Sequence, residues 1–109
     1  MTHSRNKGAA GEREFAALLR EMGWEGAQRG QQRSGLEQAD VVGLPGVHPE
    51  IKRVENLRLW AAIDQAARDA PEGQLPVVFT RRSRRPWVAI LDAKAFLELW
   101  RLAHHPLLQ

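Results

Sequence analysis

Residues 39–53 run Ala39-Asp40-Val41-Val42-Gly43-Leu44-Pro45-Gly46-Val47-His48-Pro49-Glu50-Ile51-Lys52-Arg53, two short apolar runs hinged on Pro45-Gly46. Valine and isoleucine favour extended chain and Pro-Gly favours a tight turn, so the stretch predicts two strands meeting as a hairpin. Side chains alternate along a strand, which puts His48, Glu50 and Lys52 on one face. With the tip at Pro45-Gly46, pairing brings Asp40 beside Glu50. Neighbouring carboxylates repel unless a cation lies between them, and hard oxygen donors completed by water suit Mg²⁺, with Mn²⁺ able to substitute. Lys52 is then placed to orient an attacking water or to offset charge on a pentavalent phosphate. Pro49 has no N–H to give a ladder, which predicts a bulge at that point.

Outward from this stretch the pattern alternates between helix and strand. Upstream, Phe15, Leu18, Leu19 and Met22 repeat at helical spacing after Gly8, and Gly23 supplies the stop. A short stretch from Trp24 to Arg29 precedes Gly30-Gln31-Gln32-Arg33-Ser34-Gly35, a polar, glycine-bounded run that reads as a mobile loop. Downstream, Asn56 is placed to cap a helix with Trp60, Ile63, Ala67 and Ala70 as its apolar stripe and Arg58, Gln65 and Arg68 on another face. Pro76 to Thr80 and Trp87 to Leu91 read as strands, joined by Arg81-Arg82-Ser83-Arg84-Arg85 and Pro86. Asp92 caps a last helix carrying Phe96, Leu99, Trp100 and Ala103. The expected order is α-β-β-β-α-β-β-α in one domain spanning residues 1–109, an α/β fold, with residues 1–7 a flexible basic tail and 104–109 a fraying end.

Composition narrows the chemistry. The balance of 43% hydrophobic and 27% charged residues is that of a folded globular chain. Cysteine is absent, so disulfides, thiolate metal sites and thiol catalysis are excluded and any metal must sit on oxygen or imidazole. No run of apolar residues approaches the length of a membrane span, which leads us to expect a cytoplasmic protein, in the host cytoplasm if a virus encodes it. Of the 16 basic residues only Lys7, Lys52 and Lys94 are lysine, and the formal net charge is +3. Arginine's planar fork binds phosphate at two points, so the balance points toward a polyanion.

Asp40, a turn, then Glu50-x-Lys52 resembles the PD-(D/E)XK nuclease pattern, and Lys7-Gly8-Ala9-Ala10-Gly11-Glu12-Arg13 resembles the Lys-Gly-x-x-x-Glu-Arg start of archaeal-type Holliday junction resolvases. Ala39 stands where the pattern usually has proline. The resemblance covers Lys7 to about Lys52 closely, and the remainder in architecture. It implies a restriction-endonuclease-like fold, a central mixed sheet of about five strands flanked by helices. It also implies a homodimer that cuts four-way, branched DNA by metal-dependent phosphodiester hydrolysis, with no small-molecule cofactor. By position it assigns Asp40, Glu50 and Glu12 to the metal and Glu12, Asp40, Glu50 and Lys52 to catalysis. Lys7, Arg13, Arg29, Arg33 and Ser34 become candidate DNA contacts, joined by Arg81, Arg82, Arg84 and Arg85.

Several residues carry two readings. Glu12 or Glu14 would equally serve as a helix N-terminal acid, and the resemblance selects Glu12. Gln65 reads as a polar residue behind the site or as an exposed helix glutamine. His48 reads as a ligand or base, or as a structural histidine; His104-His105 has no partner spacing. The arginines from Arg81 to Arg85 form a phosphate clamp or a solvated turn. Trp60, Trp87 and Trp100 read as core residues, and the wide apolar girth of the last helix suits a dimer contact. At the level of function, a nicking or restriction-type nuclease and a non-catalytic DNA-binding module on the same fold are the alternatives.

Overall fold

The computed structural model describes residues 2–30 and 39–104, with the backbone alone for residues 2–7. Among the described residues three helices and five strands follow in the expected order: α1 (Thr2–Glu21), β1 (Gln28–Arg29), β2 (Val41–Val42), β3 (Val47–Arg53), α2 (Leu59–Asp69), β4 (Leu75–Arg81), β5 (Val88–Ile90) and α3 (Ala93–His104). The chain is an α/β protein. α1 begins at Thr2 and so takes in the segment read as a tail. The loop read between Gly30 and Gly35 lies, apart from Gly30, outside the described residues, as do residues 105–109.

The described strands form two sheets where one of about five strands was expected. β1 and β2 make a short antiparallel pair, and β3, β4 and β5 make a mixed sheet in which β3 and β4 are parallel and β5 antiparallel. The expected ladder between β2 and β3 is therefore replaced by one between β2 and β1. Gly43 gives the reason. Its φ is +103°, and a Cβ there would lie 2.6 Å from the Ala27 Cα, so only glycine lets the chain after β2 hug the segment leading into β1. Parallel strands cannot be joined by a tight turn, and α2 is the crossover between β3 and β4.

α1 and α2 cover opposite faces of the three-stranded sheet. Phe15, Ala16 and Leu19 of α1 are buried with Ile51, and Phe79 and Trp87 pack against them. The Phe15 ring stacks on Phe79 at 4.3 Å and meets Trp87 edge-on at 5.1 Å. On the other face Ala62 and Ala66 of α2 are buried with Val78. α1 ends as Gly23 predicts: with φ of +112° it lets Gly23 N–H reach the Arg20 carbonyl and Trp24 N–H the Leu19 carbonyl, a Schellman stop. Met22 lies beyond the covered stretch and is exposed.

Three other expectations need correction. α2 starts at Leu59 with Arg58, not Asn56, at the cap position, and no side chain caps it. Its buried line is Ala62 and Ala66, with Ile63 of the expected stripe packed against them, while Ala67 is exposed and Trp60 is 71% exposed. Small side chains allow the helix to lie close on the sheet, where an indole would hold it away. No bulge forms at Pro49, because β3 keeps unbroken register with β4 from Val47–Leu75 to Arg53–Arg81. Alternate residues of a parallel strand bond to the same neighbour, and Ile51 N–H points away from β4. Pro49, two residues earlier, therefore lacks its N–H on the free edge, where no ladder bond is lost.

α3 is capped as expected, the Asp92 carboxylate accepting from Ala95 N–H at 3.0 Å. It buries none of its residues. Phe96, Leu97, Leu99, Trp100 and Leu102 are 45% to 61% exposed, so Trp100, like Trp60, is not a core residue.

Candidate active site

The side-chain parity of β3 sorts the candidate residues. Ile51 faces α1, so Glu50 and Lys52 face α2, with Glu50 level with Val78 and Lys52 level with Thr80 of β4. Lys52 Nζ lies 3.5 Å from Glu50 Oε2 and donates to Gln65 Oε1 at 3.0 Å. Gln65 is thus the residue of α2 that holds the ammonium.

Asp40 reaches the same place by another route than the expected hairpin. β3 is an edge strand, and the carboxylate of Asp40 accepts the free-edge N–H of Ile51 through Oδ2 at 2.9 Å. The carboxylate thereby caps the strand between Glu50 and Lys52. Burial raises the Asp40 pKa, against the N–H of Ile51 and the charges of Lys52 and His48. Burial likewise lifts Glu50 to about 7, with Asp40's charge adding to the rise and Lys52 opposing it. A carboxyl whose ionisation is opposed by burial and by a neighbouring carboxylate is one whose charged form a cation would favour.

Asp69 belongs to the same electrostatic group and was not singled out by the sequence reading. It raises both carboxyls. Its position follows from helix geometry: α2 runs opposite to β3, and four helical residues advance about 6 Å, roughly two strand residues. Since Gln65 meets Lys52, Asp69 comes level with Glu50. The signal in the sequence was its i+4 spacing from Gln65. His48 shares the face, as its parity predicts, and is buried at 5% exposure.

Glu12 stands apart. It projects from α1, on the far side of the sheet from Glu50, and Glu12 Oε1 accepts from Arg29 Nε at 2.9 Å. Among the described residues no three of His, Asp and Glu group as a ligand set, so Glu12, Asp40 and Glu50 do not converge on one point. Glu12 is still the better covered of the two helix acids, 18% exposed against 44% for Glu14. Glu14 is engaged elsewhere, accepting from Arg81 Nη1 at 2.8 Å and from Trp87 Nε1 at 3.0 Å.

The donor set fits a small hard cation. Mg²⁺ keeps several waters and takes one or two carboxylates together with substrate phosphate oxygens, which is what Asp40 and Glu50 offer. Of the candidate DNA contacts, Arg13, Arg82, Arg84 and Arg85 are exposed, whereas Arg29 and Arg81 are tied to α1 acids. Lys7 lies in α1, and Arg33 and Ser34 fall outside the described residues.

Comparison with protein-family models, curated proteins and solved structures finds no match for this chain.

Proposed function

We propose that this chain is a metal-dependent DNA endonuclease of the PD-(D/E)XK type with a restriction-endonuclease-like fold, acting as a homodimer on four-way junctions. The observation that carries the proposal is the Asp40 carboxylate bonded to the backbone of Ile51, between Glu50 and Lys52 whose charged groups lie 3.5 Å apart. Asp40 and Glu50 would hold Mg²⁺ or Mn²⁺, which when bound polarises the scissile phosphate and activates water. Lys52, fixed by Gln65, stands beside Glu50 to orient that water and offset charge on phosphate. Glu12, held by Arg29 and borne by α1 on the opposite face of the sheet, stays outside the metal set. The junction specificity comes from the resemblance of the Lys7–Arg13 segment.

Two-fold symmetric cutting requires two copies, and α3 supports a second copy of this chain as partner. Five half-exposed apolar side chains offer about 100 Å² each. That is on the order of 1,000 Å² over both copies, the lower bound for a specific interface.

The test is a labelled immobile four-way junction incubated with Mg²⁺, Mn²⁺ or chelator. Paired, symmetric cuts are expected with either metal. Asp40→Asn and Glu50→Gln are each expected to lower the rate at least a hundredfold with DNA binding retained. Equal cutting of linear duplex would favour a nicking or restriction-type nuclease instead. Cleavage undiminished in both variants sinks the catalytic assignment and leaves a DNA-binding module.

A further inference from the structure

Away from the candidate active site, several donors gather on one carboxylate. Glu55, in the loop between β3 and α2, accepts from Arg53 Nη1 at 3.0 Å and from the Ser83 hydroxyl at 2.8 Å through Oε2. The Ser83 backbone N–H reaches both its oxygens, at 3.1 and 3.2 Å. Arg53 Nη2 also donates to Ser83 Oγ at 3.3 Å. Ser83 lies in the turn between β4 and β5, flanked by the exposed Arg82, Arg84 and Arg85. Arg84 has a φ of +65°, a left-handed residue of the kind that folds successive N–H groups into an anion-binding concavity.

We propose that Arg53, the Ser83 N–H and the Ser83 hydroxyl form a binding site for a DNA backbone phosphate, filled in the free protein by the chain's own Glu55 carboxylate. A guanidinium, a backbone N–H and a hydroxyl are the donors that proteins set against phosphodiester oxygens. The present occupant matches that ligand in charge and in acceptor oxygens. Its side chain is 43% exposed, so it can swing into water. The Glu55 end of the pair is open to water, which limits what the pair contributes to stability, whereas a phosphodiester entering the site gains the field of Arg82, Arg84 and Arg85. Arg53 directly follows Lys52 in β3 and, by the alternation of the strand, faces α1 instead of α2, so the phosphate it would bind is a different one from that at the candidate active site. The inference rests on the reading of DNA as the ligand.

The test separates binding from cleavage. Fluorescence anisotropy of a labelled four-way junction, in chelator so that nothing is cut, compares the wild type with Glu55→Ala. The variant is expected to bind about fivefold tighter, with the dependence of log K on log salt steeper by about one. Adding Arg53→Gln to Glu55→Ala should erase the gain. Equal or weaker binding by a cooperatively folded Glu55→Ala overturns the proposal. If that variant fails to fold, inorganic phosphate titrated into ¹⁵N-labelled wild type decides: the Ser83 amide signal should move, and a stationary signal counts against the site. A moving Ser83 signal with no DNA binding by any variant would leave the phosphate site standing and remove the nuclease reading. Metal-dependent cutting with no gain from Glu55→Ala would do the reverse.

Discussion

Glu50 shows how much one side chain's surroundings decide. The folded chain holds its proton up to about pH 7, whereas the unfolded chain releases it near 4.5. Folding stability therefore falls as pH rises through that interval, by roughly 3 kcal/mol, and is flat on either side of it as far as this group is concerned. Thermal melts of the metal-free protein should show a lower midpoint at pH 7.5 than at pH 5, and Glu50→Gln should flatten the difference. A divalent ion added at pH 7.5 should raise the midpoint of the wild type, since it stabilises the ionised pair. Gln65 is the other residue whose role is local. Gln65→Leu removes the acceptor of the Lys52 ammonium and, on the proposed nuclease function, is expected to lower kcat about tenfold with junction affinity unchanged, with Gln65→Glu recovering most of the loss. A Gln65→Leu enzyme of full kcat would make the glutamine a bystander.

At the level of elements, the two helices against the sheet are set by small residues. A Cβ on Gly11 of α1 would lie 2.5 Å from the Arg53 Cβ, so the helix passes over the end of β3 only because glycine is there. Gly11→Ala should cost about 1–3 kcal/mol in a denaturant melt, as overpacking of a close contact does, and it should disturb Arg53 as well as the helix. Gly8→Ala in the same helix meets nothing within 4 Å and serves as the control that should stay near neutral. The order of elements, the Gly23 stop, the Asp92 cap and the alternation of β3 were all legible, because each depends on neighbours in the chain. Of the α2 stripe Ile63 does pack inward, whereas Trp60 does not, because hydrophobicity favours tryptophan over alanine while the space between helix and sheet favours the reverse. Pro49 was misread because a strand's free edge is a property of the sheet and not of the strand.

For the molecule as a whole, α3 is the helix that buries none of its side chains among the described residues. Its apolar residues lie outward, with the rings of Phe96, Trp100 and His104 stacked along one line. The proposed second copy predicts a dimer by analytical ultracentrifugation, converted to monomer by Leu99→Asp or Trp100→Glu with the melting temperature little changed. A wild-type chain that sediments as a monomer at tens of micromolar, a concentration at which a specific interface of this area is populated, would remove α3 as a dimer contact.

Local order determined the helices, the strands, the absence of thiol chemistry and the shared face of Glu50 and Lys52, since helical and strand periodicities belong to the backbone itself. Only the tertiary structure decided that β2 pairs with β1, that Asp40 reaches β3 through its side chain, that Gln65 and Asp69 face the site, and that Glu12 is held by Arg29 on the other side of the sheet. Those outcomes depend on which surfaces meet across long stretches of chain, and contacts of that kind are fixed by the packing of the whole molecule.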